Sequence, residues 1–400
     1  SKVATTAPSL SSVAGRTFFF LMMRRPPRST QQETLLPYPT LFAFARIRSI
    51  GEPSPALMLA LAALSLLLAL ASWRWVEQPF RRPRRARAVC PRRTLAAAAG
   101  ALALLAATGA YGHLSEGANA DHAYDVPPYR NTGPCDFSTT SPSEAALARC
   151  LSHHPGKAPV VLVGDSHAAA IAATLRRTLA GRGRALVSLT RAGCLPVAGT
   201  MRGNEPGRCA DFAAALEGFV ARVAPGAVVV LARWPYYIEG NRFTNARGFT
   251  GGGASTAAHR VAGPPHLDES ARKAGLAARM EAFYRRLGAA RPTILLRSVP
   301  ETGWHVPKMA MWGVPGEVVW TSLEAYRARN AVPDRVFDRL EGAAGVTVID
   351  TGALFCDRQG HGRCVNAVGR QLLYRDSNHL APRGAARLSR AILRAIPAGR

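Results

Sequence analysis

Lysine is almost missing from this sequence. Four lysines stand against 47 arginines, and with only 25 acidic residues the formal net charge is +26. A charge of that size invites a nucleic-acid partner, yet the chain has no recognisable nucleic-acid motif and no module interleaving aromatic with basic side chains. The excess is also uneven, net +12 in the first 93 residues and +14 over the rest. Alanine, glycine, proline and arginine are abundant together, as GC-rich coding produces. That bias, with charge flanking membrane segments, accounts for the excess, and no nucleic-acid partner is expected. Metal-ligand spacing is missing too. The seven cysteines include no Cys-x-x-Cys pair and no histidine cluster accompanies them, so no metal site is expected.

Long hydrophobic runs are few, but two are present. Ala56 to Ser72 is uncharged over 17 residues and runs into Trp73, Arg74 and Trp75, which suit a membrane interface. Thr94 to Tyr111 is alanine-rich and also uncharged. Between them, residues 80–93 hold seven arginines and no acid. The positive-inside rule places this loop in the cytoplasm, so the second pass carries everything after residue 112 outward. Six cysteines follow that point, and an even set in an exported domain reads as disulfides. Spacing alone leaves their connectivity open. The sequential pairs Cys135–Cys150, Cys194–Cys209 and Cys356–Cys364 are expected because each closes a short loop. Cys90 lies in the basic loop on the reducing side. Residues 1–45, including FFFLMMRRPPRSTQQETLLPYPTLF, follow no helical or strand period and look like translated adapter read-through. No function is assigned to them.

Residues 113–157 read as an exported linker, rich in proline, glycine and polar residues. Beyond it, apolar runs at Pro159–Val163, Ala185–Leu189, Ala227–Ala232, Thr293–Arg297 and Val346–Ile349 alternate with helical stretches. These cover 167–180, 209–223, 268–289, 322–341 and 382–394. The alternation predicts an α/β domain over 158–400 with a mainly parallel sheet covered on both faces. Ligands bind such sheets at the carboxyl ends of strands. There stands Ser166, in PVVLVGDSHAA, with a helix starting behind it. A serine hydroxyl needs a base, and the base an orienting partner. YRDSNHLAPRG offers both, Asp376 three residues before His379. His167 reads as structural, directed into the turn, and Asp165 as shaping that turn.

These blocks resemble the SGNH (GDSL-like) hydrolase superfamily: Gly164-Asp165-Ser166-His167 its first block, Asp376-Ser377-Asn378-His379 its last. The likeness is closer to a branch in which a periplasmic SGNH domain is fused to a membrane acyltransferase-3 protein that O-acylates surface polysaccharides. WRWVEQPFRR (73–82), RAGCLPV (191–197), VVVLARWPYY (228–237) and SVPETGWHVP (298–307) are similar to that branch in order. The resemblance implies a three-layer α/β/α domain preceded by two transmembrane helices. Residues 46–79 would end the acyltransferase-3 core, and 94–112 would be an additional membrane helix. It implies Ser166 as nucleophile, His379 as base, Asp376 as its orienter, and the Ser166 and Gly193 amides as oxyanion hole. Where the superfamily has a Gly-x-Asn block, this chain has Arg233-Trp234, both expected to line the site; Asn241 follows later. Aromatics including Tyr236, Tyr237, Trp304 and Trp312 read more readily as packing than as sugar contacts.

The implied activity is O-acetyl transfer to a cell-envelope polysaccharide at the bacterial inner membrane, with the SGNH domain in the periplasm. Acetyl-CoA would be the ultimate donor through the membrane core, and the SGNH domain would bind no cofactor. A periplasmic esterase using the same triad, or a glycan-binding module, are the alternatives.

Overall fold

The structure is a computed structural model. It describes residue 45 and residues 53–78, 91–114, 133–137, 143–152, 158–203, 206–245, 258–263, 268–311, 320–356, 362–369 and 371–397. Residues 1–44, residues 80–90 of the basic loop with Cys90, and Trp312 lie outside the described residues. The chain divides into two compact units, one of Ser1–Ser49 with Pro53–Pro83, the other of Ile50–Glu52 with Arg84–Arg400.

In the first unit, helix α1 (Pro55–Ala71) starts at a Ser54 cap, whose hydroxyl accepts from the Leu57 N–H at 3.2 Å. It continues into a π-helical turn, Ser72–Glu77. None of its residues is buried, and Leu59, Leu66, Leu67 and Trp75 are exposed. From Pro55 to Trp75 it is long and apolar enough to cross a membrane, and among the described residues no other helix is. In the second unit, helix α2 (Pro91–Leu114) is continuous, but its apolar stretch covers only Ala99–Gly112. The second expected pass therefore forms a helix, but with a shorter apolar stretch than α1. Arg92 and Arg93 occupy the first turn of α2, and alanine rather than leucine fills much of its length.

The rest of the second unit begins with β1 (Asp136–Phe137), α3 (Glu144–Ser152), β2 (Val160–Gly164), α4 (Ser166–Ala180), β3 (Leu186–Thr190) and β4 (Thr200–Arg202). Then come α5 (Pro206–Val223), β5 (Ala227–Leu231), α6 (Trp234–Glu239), β6 (His259–Val261), α7 (Glu269–Ala290) and β7 (Thr293–Leu296). Next are α8 (Val306–Met311), β8 (Thr321–Ser322), α9 (Leu323–Leu340), β9 (Val346–Ile349) and α10 (Gly352–Phe355). The chain closes with β10 (Arg363–Cys364), β11 (Ala367–Val368), β12 (Gln371–Leu372) and α11 (Pro382–Ala395).

Six strands form one parallel sheet in the order β1-β3-β2-β5-β7-β9. Its five long strands and five long helices fall where the apolar alternation predicts them. β2, β3, β5 and β7 are buried along their length because both faces are covered, while the edge strand β9 is only partly buried; successive side chains enter opposite layers. Val161, Val163, Val228 and Val230 pack with Phe212, Phe219, Phe283 and Phe337 from α5, α7 and α9. Leu162, Val229, Leu231 and Leu296 pack with Ile171 and Leu175 of α4 and Leu388 and Ile392 of α11. Burying each such side chain contributes about 1.5–3 kcal/mol.

The sheet also reaches back into the stretch read as a linker. β1 pairs with β3, and the buried Asp136 carboxylate accepts from Ser188 Oγ at 2.5 Å and from the Arg176 guanidinium. The three disulfides are the sequential pairs, Cys135–Cys150, Cys194–Cys209 and Cys356–Cys364. Three closed bridges fit an extracytoplasmic domain.

Candidate active site

Strands β2, β3 and β5 end level, with Gly164 opposite Thr190 and Leu231. A Cβ on Gly164 would lie 1.9 Å from the Leu231 carbonyl oxygen and 2.6 Å from Ala168 Cβ. Glycine therefore lets β5 and α4 close around the turn. Asp165 caps α4 and is 1% exposed. Its Oδ1 accepts from the His167 N–H at 2.8 Å, and its Oδ2 from the Arg233 N–H at 3.0 Å and the Tyr237 hydroxyl at 2.5 Å. Ser166 is the first residue of α4 and half-buried, so its Oγ stands where the helix start favours negative charge.

The second half of the site is a short loop before α11. Tyr374 and Leu380 form an antiparallel bridge across it, and the Arg375 N–H donates to the His379 carbonyl at 3.0 Å. Inside, Asp376 Oδ1 accepts from the Asn378 and His379 N–H groups, both at 2.8 Å. Asp376 Oδ2 accepts from His379 Nδ1 at 2.7 Å, and the Ser166 hydroxyl donates to His379 Nε2 at 2.8 Å. Burial on its own would raise the Asp376 pKa. The bonds from the His379 ring and from the backbone of His379 and Asn378 outweigh it and hold the carboxyl well below the usual range. A permanent carboxylate fixes the proton on Nδ1 and leaves the Nε2 lone pair facing the serine. The loop is clamped from outside, because Thr302 donates N–H and Oγ1 to the Ser377 carbonyl at 2.9 and 2.8 Å.

The other expected residues divide. Gly193 sits in the turn after β3 with φ +75, where a side chain would be strained. The Arg191 N–H bonds the Gly164 carbonyl at 2.9 Å, drawing that turn alongside the serine. Trp234 does not line an open site, and Arg233 is partly buried with its guanidinium held in an ion pair. Trp234 is fully buried, its Nε1 donates to the Leu296 carbonyl at 2.8 Å, and its ring packs edgewise on Tyr284 and Phe337. The Arg233 guanidinium is committed to the buried Glu301 and lies over the Tyr236 ring. Glu301 is held from its other side by Arg329 at 2.9 Å. Burial would raise the Glu301 pKa, but the two guanidiniums hold it below its ordinary value. Asn241, at the surface, is engaged by Arg329, and Tyr237 and Trp304 are buried.

His167 is buried and turned inward, as expected, but it also has an unanticipated partner. Its Nε2 lies 3.0 Å from Asn378 Oδ1, and its ring centroid is 4.8 Å from that of His379. Burial, outweighing the pull of Asp165 and reinforced by His379 and Arg233, pushes its pKa down to about 4. Asn378 went unread because it occupies a variable position of the Asp-x-x-His pattern. Among the described residues, no three His, Cys, Asp or Glu side chains gather as a metal-holding group.

A parallel three-layer sheet with a serine at the end of an early strand, and an acid and histidine just before the last helix, defines an SGNH-type hydrolase fold. Within that class, the chain belongs to the family described as the SGNH domain fused to AT3 domains, which matches residues 134–394. Among solved structures, the chain is similar to the periplasmic domain of a lipopolysaccharide acetyltransferase from Salmonella ser. Paratyphi A. That match has 16% identity, 64% of this chain and 90% of that one covered, and a TM-score of 0.42. It is also similar to an acetyl xylan esterase from the rumen bacterium Butyrivibrio proteoclasticus, with 11% identity, 60% and 63% covered, and a TM-score of 0.28. No curated protein matches the chain.

Proposed function

We propose that this protein is an O-acyltransferase that moves an acetyl group to a hydroxyl of a cell-envelope polysaccharide. The observation that carries the reading is the unbroken hydrogen-bonded chain from Ser166 through His379 to Asp376. Ser166 Oγ attacks the acyl carbonyl while His379 Nε2 takes its proton. The backbone N–H groups of Ser166 and Gly193 receive the developing oxyanion. Collapse expels the donor's leaving group, which takes the proton from His379, and leaves the acyl group on Ser166. A sugar hydroxyl then gives its proton to His379 and attacks, and that proton returns to Ser166 Oγ as the acylated sugar departs. Asp376 stays ionised throughout and stabilises the imidazolium.

Transfer is preferred over hydrolysis because the family is one fused to AT3 domains and because the WRWVEQPF segment follows α1 in the sequence. On this reading α1, with α2 as a second pass, anchors the protein in the bacterial inner membrane and the SGNH domain works in the periplasm. The AT3 core would bring the acetyl group outward from cytoplasmic acetyl-CoA. Hydrolysis by the same triad is the second reading, since water can replace the sugar hydroxyl in the last step. The test supplies an acetyl ester with and without a glycan acceptor and measures acetylated glycan against free acetate. A transferase diverts acetyl to the sugar, whereas constant release of acetate rejects transfer. Ser166→Ala abolishes both products, and full turnover in that variant removes the triad assignment altogether.

A further inference from the structure

Ser166 and His379 come from turns far apart in the chain, and two hydrogen bonds cross between those turns. One is the Ser166–His379 bond itself, which must give up its proton in every acyl transfer. The other, His167 to Asn378, takes no part in the chemistry. Asn378 turns its Nδ2 toward Ser377 Oγ at 2.9 Å, so its Oδ1 faces His167, and His167 Nε2 carries the hydrogen. His167 Nδ1 is buried and has no hydrogen-bond partner among the described residues. That agrees with the same tautomer, since a bare ring nitrogen is better tolerated there than a buried, unpaired N–H.

We propose that His167 is a positioning residue, its Nε2–H on Asn378 Oδ1 tying the serine turn to the acid–histidine turn and holding Ser166 Oγ in reach of His379. The proposal rests on the triad reading above. The tether persists when the reactive bond is broken, because both its members lie outside the proton path. Its imidazole also stays neutral at working pH, so no second cation opposes imidazolium formation at His379, whose ring it faces.

The full chain, purified in detergent, is compared with His167→Leu and His167→Gln by turnover of 4-nitrophenyl acetate and by thermal midpoint. Glutamine can place an amide N–H where imidazole Nε2 stands; leucine cannot. His167→Leu is expected to lower kcat on the order of 100-fold, the cost of an ångström of misplacement, with KM nearly unchanged. His167→Gln recovers most of that loss. Wild-type kcat in His167→Leu, or a glutamine variant as slow as the leucine one, overturns the proposal. Should His167→Leu fail to fold, Asn378→Ala takes its place: a kcat loss at constant KM supports the tether, and wild-type kcat overturns it. Ser166→Ala separates the two claims. If it retains turnover the triad reading falls; if it is inactive while His167→Leu turns over normally, only the tether falls.

Discussion

Removing the Asp165 carboxylate should be far costlier than losing one surface charge, because three donors converge on it and it is 1% exposed. In Asp165→Ala the cap of α4 is lost, at about 1 kcal/mol. The Arg233 N–H and the Tyr237 hydroxyl are left in the interior without an acceptor, at about 1–3 kcal/mol each. Relief of the carboxylate's own burial offsets part of this. The expected destabilisation is about 4 kcal/mol, a large share of the roughly 5–15 kcal/mol that holds a domain folded. Asp165→Asn should lose only about 1–2 kcal/mol, since one oxygen remains and the Tyr237 hydroxyl can accept as well as donate. The assay is urea unfolding of the full chain in detergent, read by tryptophan fluorescence, to which the buried Trp234 and Trp304 contribute. Adding Tyr237→Phe to Asp165→Ala should recover about 1–3 kcal/mol, because the stranded hydroxyl is gone. Strict additivity of the two substitutions, or an Asp165→Ala variant within about 0.5 kcal/mol of the parent, would refute the reasoning.

The same unfolding assay reads Glu301→Gln, which leaves the Arg233 and Arg329 guanidiniums facing each other in the interior. A loss of about 3–5 kcal/mol is expected, and a neutral result would mean that solvent already screens them. Asp334 on α9 provides a pH prediction. Burial, reinforced by Asp338 and Asp350 and opposed by Arg297, raises its pKa from 3.8 to about 6. Between those values the folded chain binds the extra proton, so this group's contribution is full in acid and lost as pH rises through about 6. The loss is roughly 3 kcal/mol, and it should vanish from the pH profile of Asp334→Asn. A variant whose profile parallels the parent's from pH 4 to 6 would contradict it.

What could be read in advance follows from how local each signal is. The runs at 160–164, 186–190 and 227–231 announce buried strands because every residue is apolar or small, and a parallel sheet needs that on both faces. The two halves of the candidate site are equally local: Asp165 caps its own helix, and Asp376 binds the amides two and three residues on, so each turn is written in consecutive residues. β1 was not legible, since two residues carry no period and their place depends on Ser188, Arg176 and the bridge from Cys135 to Cys150. Arg233 and Trp234 show the other limit. Their position at a strand's carboxyl end was readable; their side-chain directions were not. α6 starts at Trp234, directly after the strand end, and the Trp234 ring lies in among Tyr284 and Phe337 instead of outward. Glu301, from the loop after the next strand, then claims the Arg233 guanidinium. The strand end nearest the serine thus contributes backbone rather than side chain, its Arg233 N–H holding Asp165 and so the turn that presents Ser166.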